Sequence, residues 1–189
     1  MILRPALVVF CLAVALGAPV ISLESSRSAK RKLERIAEGK APSGSSIILA
    51  EDEINSYLRY DFADDIPAGI SRPHIRLEPD RVSGSAMVDF VEWKAQRGEP
   101  PGMLLSWLLR CERRVDVVCH YTSADGYGRV DVESVKISGV PISAGAVTFL
   151  IENLVQPRYP AAVVGRPAPL GYNLKQVRID RGRAVVVAR

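Results

Sequence analysis

RVDVVCHYTSADGYGRVDVESVKI, residues 114–137, is the stretch on which the reading of the fold turns. Extended segments near 114–123 and 127–137 flank Asp125-Gly126, and glycine accepts positive φ without steric cost, so the pair reads as a hairpin. Strands joined by so short a turn must be antiparallel. That excludes a parallel doubly wound sheet, and the same pattern recurs on both sides.

Downstream, a helix from about Ser143 to Gln156 carries Ala146, Phe149, Leu150 and Leu154 inward. A hairpin follows near 173–180 and 183–188, turned by Asp180-Arg181-Gly182. Upstream, Pro100-Pro101 opens a helix from Gly102 to Arg110 whose Met103, Leu104, Leu105, Trp107, Leu108 and Leu109 leave almost no polar side. Before it, segments near 72–78 and 81–93 meet at Pro79-Asp80. On the longer one Val82, Gly84, Ala86, Val88 and Phe90 share a face opposite Arg81, Ser83, Ser85 and Asp89. Ile47-Ile48-Leu49 forms a brief strand, and Glu51-Asp52-Glu53 opens a helix to Tyr60 with Ile54, Tyr57 and Leu58 on one stripe.

The order is therefore three helix-then-hairpin units, and the fold class is α+β. The expected architecture is a strongly curved antiparallel sheet of about six strands with helices on its concave face, the 102–110 helix among them. Gly84 and the shift of apolar register between Val132 and Val135 are the expected places for a bend or bulge.

The N-terminus bears on compartment. Pro5 to Leu23 carries no charge, and Ala15 and Gly17 stand in the A-x-A-like relation of a cleavage site. Residues 1–17 read as a signal peptide or, uncleaved, as an N-terminal anchor, so the chain is expected to be exported: periplasmic, extracellular or anchored. Residues 18–44 form a basic amphipathic helix and linker. Residues 45–189 form a single domain. The formal net charge of +4 is local, because residues 18–40 hold six Lys/Arg against three Glu while 41–189 are balanced at 18 of each sign. A neutral body argues against nucleic acid as a partner. Arg27, Lys30, Arg31 and Lys32 offer a surface for anionic lipid, or a solvated helix face.

Catalytic chemistry has little to stand on. No nucleophile elbow, phosphate loop or dinucleotide fingerprint occurs. His74 and His120 lack a second ligand at metal spacing, and no cofactor is implied. Cys119 and His120 are strand neighbours facing opposite ways, so they form no thiol–base pair. Cys111 and Cys119 are expected as buried free thiols, a bridge requiring a sharp reversal at Glu112 to Arg114.

What the chain has in surplus is aliphatic side chains. Most such surplus is ordinary core, but an acyl-binding groove demands the same composition. The string Ile48-Leu49-Ala50-Glu51-Asp52-Glu53-Ile54-Asn55-Ser56-Tyr57-Leu58, the strand Val82-Ser83-Gly84-Ser85-Ala86, and the ending Leu170-Gly171-Tyr172-Asn173-Leu174 with Val177-Arg178-Ile179 and Gly182-Arg183-Ala184-Val185 resemble, over residues 45–189, half of a tubular lipid-binding (BPI-like or SMP-like) barrel. The resemblance implies a curved sheet wrapped round a helix that handles lipid at the cell envelope, without a prosthetic group. Asn55 is read as a helix residue bonding the adjoining loop. The expectation is an exported, non-enzymatic domain binding a lipid or other apolar ligand, lined by Met103, Leu104, Trp107, Leu108, Phe149 and Leu150. An envelope scaffold and a hydrolase of envelope lipid or glycan are the alternatives.

Overall fold

The computed structural model describes residues 20–95, 111–152 and 164–189. Helix α1 (Leu23–Ala37) starts at Ser22, whose hydroxyl accepts from the Ser25 N–H at 3.1 Å, and ends at Glu38. It lies on α2 (Glu51–Tyr60), which follows directly from strand β1 (Ser46–Ala50). Small side chains allow the close approach: Ser26, Ala29 and Ser56 are all fully buried. Polar bonds then fix the pair. Glu53 accepts from Lys32 at 2.6 and 2.7 Å, from the Ser28 hydroxyl at 2.6 Å, and from the Ala50 N–H at 2.9 Å at the head of α2. Asp61 accepts from Ser26 and from Lys30.

Beyond a single 3-10 turn at Ala63–Asp65, strands β2 (Ile70–Glu78) and β3 (Arg81–Val88) form the first hairpin. Strands β4 (Arg113–Ala124) and β5 (Tyr127–Ile137) form the second. Its turn residues Asp125 and Gly126 have φ of 53° and 85°, the double left-handed pair that lets a two-residue turn match strand twist. These four strands, with the two-residue β6 (Val140–Pro141) next to β5, make an antiparallel sheet in the order β2-β3-β4-β5-β6. The two-residue β7 (Ala168–Pro169) also pairs with β5, giving six strands. The sheet is not closed.

The third hairpin, β8 (Leu174–Asp180) and β9 (Arg183–Ala188), joins β1 in a separate sheet of order β1-β9-β8. Its register places Ile48 opposite Val185 and Leu49 opposite Ala184. The small sheet crosses the turn ends of the large one and is stitched to it. The Asp80 N–H donates to Ile179 at 3.1 Å, Gly182 to Leu77 at 2.9 Å and Gly126 to Lys175 at 2.7 Å. The Ser123 hydroxyl accepts from the Val177 N–H at 2.9 Å and donates to its carbonyl at 2.6 Å. The fold is α+β, with its main core of Ala29, Ile36, Leu49, Leu77, Leu174, Ile179, Ala184 and Val186 between α1, α2 and the small sheet.

Three expectations are corrected. Strand β3 stops at Val88 instead of reaching residue 93, because the Asp89 carboxylate accepts the Val91 and Glu92 N–H groups at 2.9 and 3.0 Å and starts helix α3 (Phe90–Ala95). Gly84 makes no bend: it pairs in regular register with Ile75 and Val117. The irregularity in the first hairpin falls between Ser71 and His74, where Arg72 takes φ 51° and Pro73 has no N–H to give the ladder. The second expected bulge is present, with Val118 opposite Ser134, Cys119 opposite Val132, and Glu133 left over. Finally, Cys111 and Cys119 are free, but Cys111 is exposed and Cys119 half-buried.

Candidate ligand cavity

Residues directly opposite in antiparallel strands point to the same face. In the six-stranded sheet, the inner face is therefore set by rows that cross it. One row is Ile75, Gly84, Val117 and Val135; its neighbours are Ala86, Val115 and Ile137 on one side and Val82, Cys119 and Val132 on the other. The outer face is polar and ion-paired, with Arg81 on Glu133 at 3.0 Å, Arg114 on Asp116 at 2.8 Å and Arg129 on Asp131 at 2.7 Å.

The inner face is apolar between Arg113, opposite Val88, and Ser123, opposite Gly128, but it is not equally filled. At the end toward the β2–β3 turn it carries Leu77, only 3% exposed and part of the main core, with Val82 and Tyr121 packed against that core. At the other end the side chains are short: Gly84, Ala86, Val115, Val117, Cys119, Val132. They leave a cavity of about 490 Å³, partly open to solvent. A Cβ added at Gly84 would meet nothing within 4 Å. A glycine in mid-strand weakens the strand and often marks close approach of another group, so the space beside it is a feature of this face.

Helix α4 (Ala144–Leu150), started by the Ser143 hydroxyl on the Ala146 N–H at 3.3 Å, supplies Val147 and Leu150 to the cavity, with Ile151 just beyond it. Leu58 on α2 and Phe90 on α3 complete that wall. Among the described lining residues none carries a formal charge; His74, Ser85 and Cys119 are the polar ones. His74 lies opposite Ser85, and Ser85 opposite Asp116, so both belong to the outer-face rows and border the cavity at the β2 edge, where His74 is exposed. Burial pushes the Cys119 thiol upward, with the charge of Glu133 acting in the same direction, so the group is a neutral wall at physiological pH. Among the described residues no three His, Cys, Asp or Glu side chains are placed to hold a metal ion.

Of the residues expected to line a ligand site, Leu150 lies in the cavity wall. Met103, Leu104, Trp107 and Leu108 fall outside the described residues, as does the side chain of Phe149. Ala146, expected inward, is exposed; α4 turns Val147 and Leu150 to the sheet in its place. The valines of β4 and β5 were not expected as lining. Their signal was a run of short apolar residues at one strand parity beside Gly84 and Ala86.

The basic residues of α1 divide into two kinds. Lys30 is paired with Asp61 at 3.0 Å and Lys32 with Glu53 at 2.6 Å, both internal to the α1–α2 contact. Arg27, Arg31 and Arg35 are exposed. Asp61 lies below the usual carboxylate range, held there by the Ser26 and Lys30 bonds. No described helix is long and apolar enough to cross a membrane. No family model, curated protein or solved structure matches this chain.

Proposed function

We propose that this protein is an exported, non-enzymatic binder of lipid or another apolar ligand, held between the inner face of the six-stranded sheet and α4. The supporting observation is the hollow half of that face: short side chains around Gly84 bound a cavity within the roughly 300–1,000 Å³ range of small-molecule sites. Among the described lining residues none is charged, which suits a ligand recognised by burial, not by ion pairing. The tubular lipid-binding resemblance points the same way from sequence texture. Arg27, Arg31 and Arg35 are the exposed α1 arginines available to meet an anionic membrane surface.

The test is the lipid content of purified secreted protein by native mass spectrometry and solvent extraction, compared with Gly84→Leu. Bound lipid in the wild type, absent from a folded Gly84→Leu, is the expected result. A wild type that carries no lipid and takes up no fluorescent fatty-acid probe overturns the proposal.

A further inference from the structure

We infer that the cavity takes one unbranched hydrocarbon chain per protein, with the polar end of the amphiphile left in solvent on its open side. This rests on the lipid-binding reading above and narrows it. A volume of about 490 Å³ holds roughly sixteen water-sized groups at ~30 Å³ each. A methylene is close to water in size, so the volume matches one long acyl chain and is about half of what two would need. The rows around Gly84 cross strands β2 to β5 over roughly 14 Å at the usual strand spacing, so a chain long enough to fill the volume lies bent over the valines, not extended.

The lining fixes where the head must go. A carboxylate or phosphate drawn against the described lining residues, none of which is charged, would lose its hydration uncompensated. The cavity is partly open to solvent, so a polar head can stay hydrated outside while the chain is buried. The ligand class is thus a single-chain amphiphile, either a free fatty acid or a lysolipid.

The experiment uses the full secreted chain, delipidated, with displacement of a fluorescent fatty-acid probe as readout. Saturated fatty acids from octanoate to stearate are titrated, then palmitoyl lysophosphatidylcholine and dipalmitoyl phosphatidylcholine. Affinity is expected to rise about fourfold per added methylene and to level off near palmitate, where the space is full. Palmitate and its lysolipid should bind alike, at one per protein. In Gly84→Leu the levelling point should move to shorter chains, a change that loss of folding cannot mimic.

Tighter binding of the diacyl lipid than of palmitate overturns this inference and leaves the lipid-binding proposal standing. A preference beyond about tenfold between palmitate and its lysolipid overturns the solvent-exposed head. Displacement by none of these ligands overturns both proposals together.

Discussion

The Asn55 carboxamide replaces a missing strand for Ile75: its nitrogen donates to the Ile75 carbonyl at 2.7 Å, and its oxygen accepts from the Ile75 N–H at 2.7 Å. Two residues on, the Leu77 N–H donates to the Glu51 carboxylate at 2.7 Å. Strand β2 is the edge of the six-stranded sheet, and α2 satisfies that edge with side chains. Asn55 is 4% exposed, so its partners have no ready access to water. Asn55→Ala is expected to leave both Ile75 groups unpaired and to cost about 2–5 kcal/mol in urea unfolding. Asn55→Asp keeps the acceptor but sets a carboxylate oxygen against the Ile75 carbonyl. It should be no less damaging at neutral pH, and an Asp variant of wild-type stability would contradict the pairing.

The contact between α1 and α2 sets a second expectation, in pH. Burial acts to raise the Glu53 pKa, but the bonds from Lys32, Ser28 and the Ala50 N–H, with the Lys32 charge, outweigh it and hold the group below its ordinary 4.5. A folded-state pKa depressed below the unfolded one contributes stability that is present above the unfolded value and disappears as pH falls through the folded value. Unfolding free energy should therefore drop from about pH 4.5 downward, and Glu53→Gln should flatten that limb while lowering stability at neutral pH. Chemical denaturation at a series of pH values, comparing the two proteins, measures it. Identical acid limbs would remove Glu53 from the account.

How far these features were legible depends on range. The Asp125-Gly126 turn and the ends of α2 are local, and a single sequence carries them. Asp89 was legible too, since Asp followed three residues later by Glu92 is the pattern of a helix start; the apolar alternation through Phe90 obscured it. The role of Asn55 was not, because it depends on which strand edge happens to lie beside α2. Nor was the pairing of β1 with β9, which joins segments more than a hundred residues apart and takes the third hairpin out of the large sheet. Gly84 stands out in the sequence as a place for a bend or bulge, but a strand glycine signals either backbone distortion or an open neighbour, and choosing between them needs the opposite wall.

Two strand glycines separate those cases. Gly84 faces open space, while a Cβ at Gly128 would sit 2.7 Å from Leu170 Cδ2 and 2.9 Å from the Tyr121 hydroxyl. Neither has positive φ, so the backbone tolerates alanine at both. Gly84→Ala should stabilise by about 0.5–1 kcal/mol through lost unfolded-state freedom. Gly128→Ala should destabilise by about 1–3 kcal/mol through overpacking. Thermal unfolding of the pair reads the sign directly, and a shared sign would mean the two neighbourhoods do not differ as described.

The same contrast holds for truncation on a single sheet face. Leu77 is 3% exposed within the main core, so Leu77→Ala opens a void among atoms that cannot all relax, at a cost of about 2–5 kcal/mol. Val117 lies on the same inner face but is half-buried against existing space. Val117→Ala removes methyl groups already lacking neighbours on one side, and should cost no more than about 1 kcal/mol in the ligand-free protein. With a chain in the cavity those methyl groups gain partners, so the cost of Val117→Ala should grow when palmitate is present, whereas that of Leu77→Ala should stay fixed. Measuring both variants with and without palmitate separates a surface that packs the fold from one that packs a ligand; equal costs for Val117→Ala in the two conditions would place the chain elsewhere on the molecule.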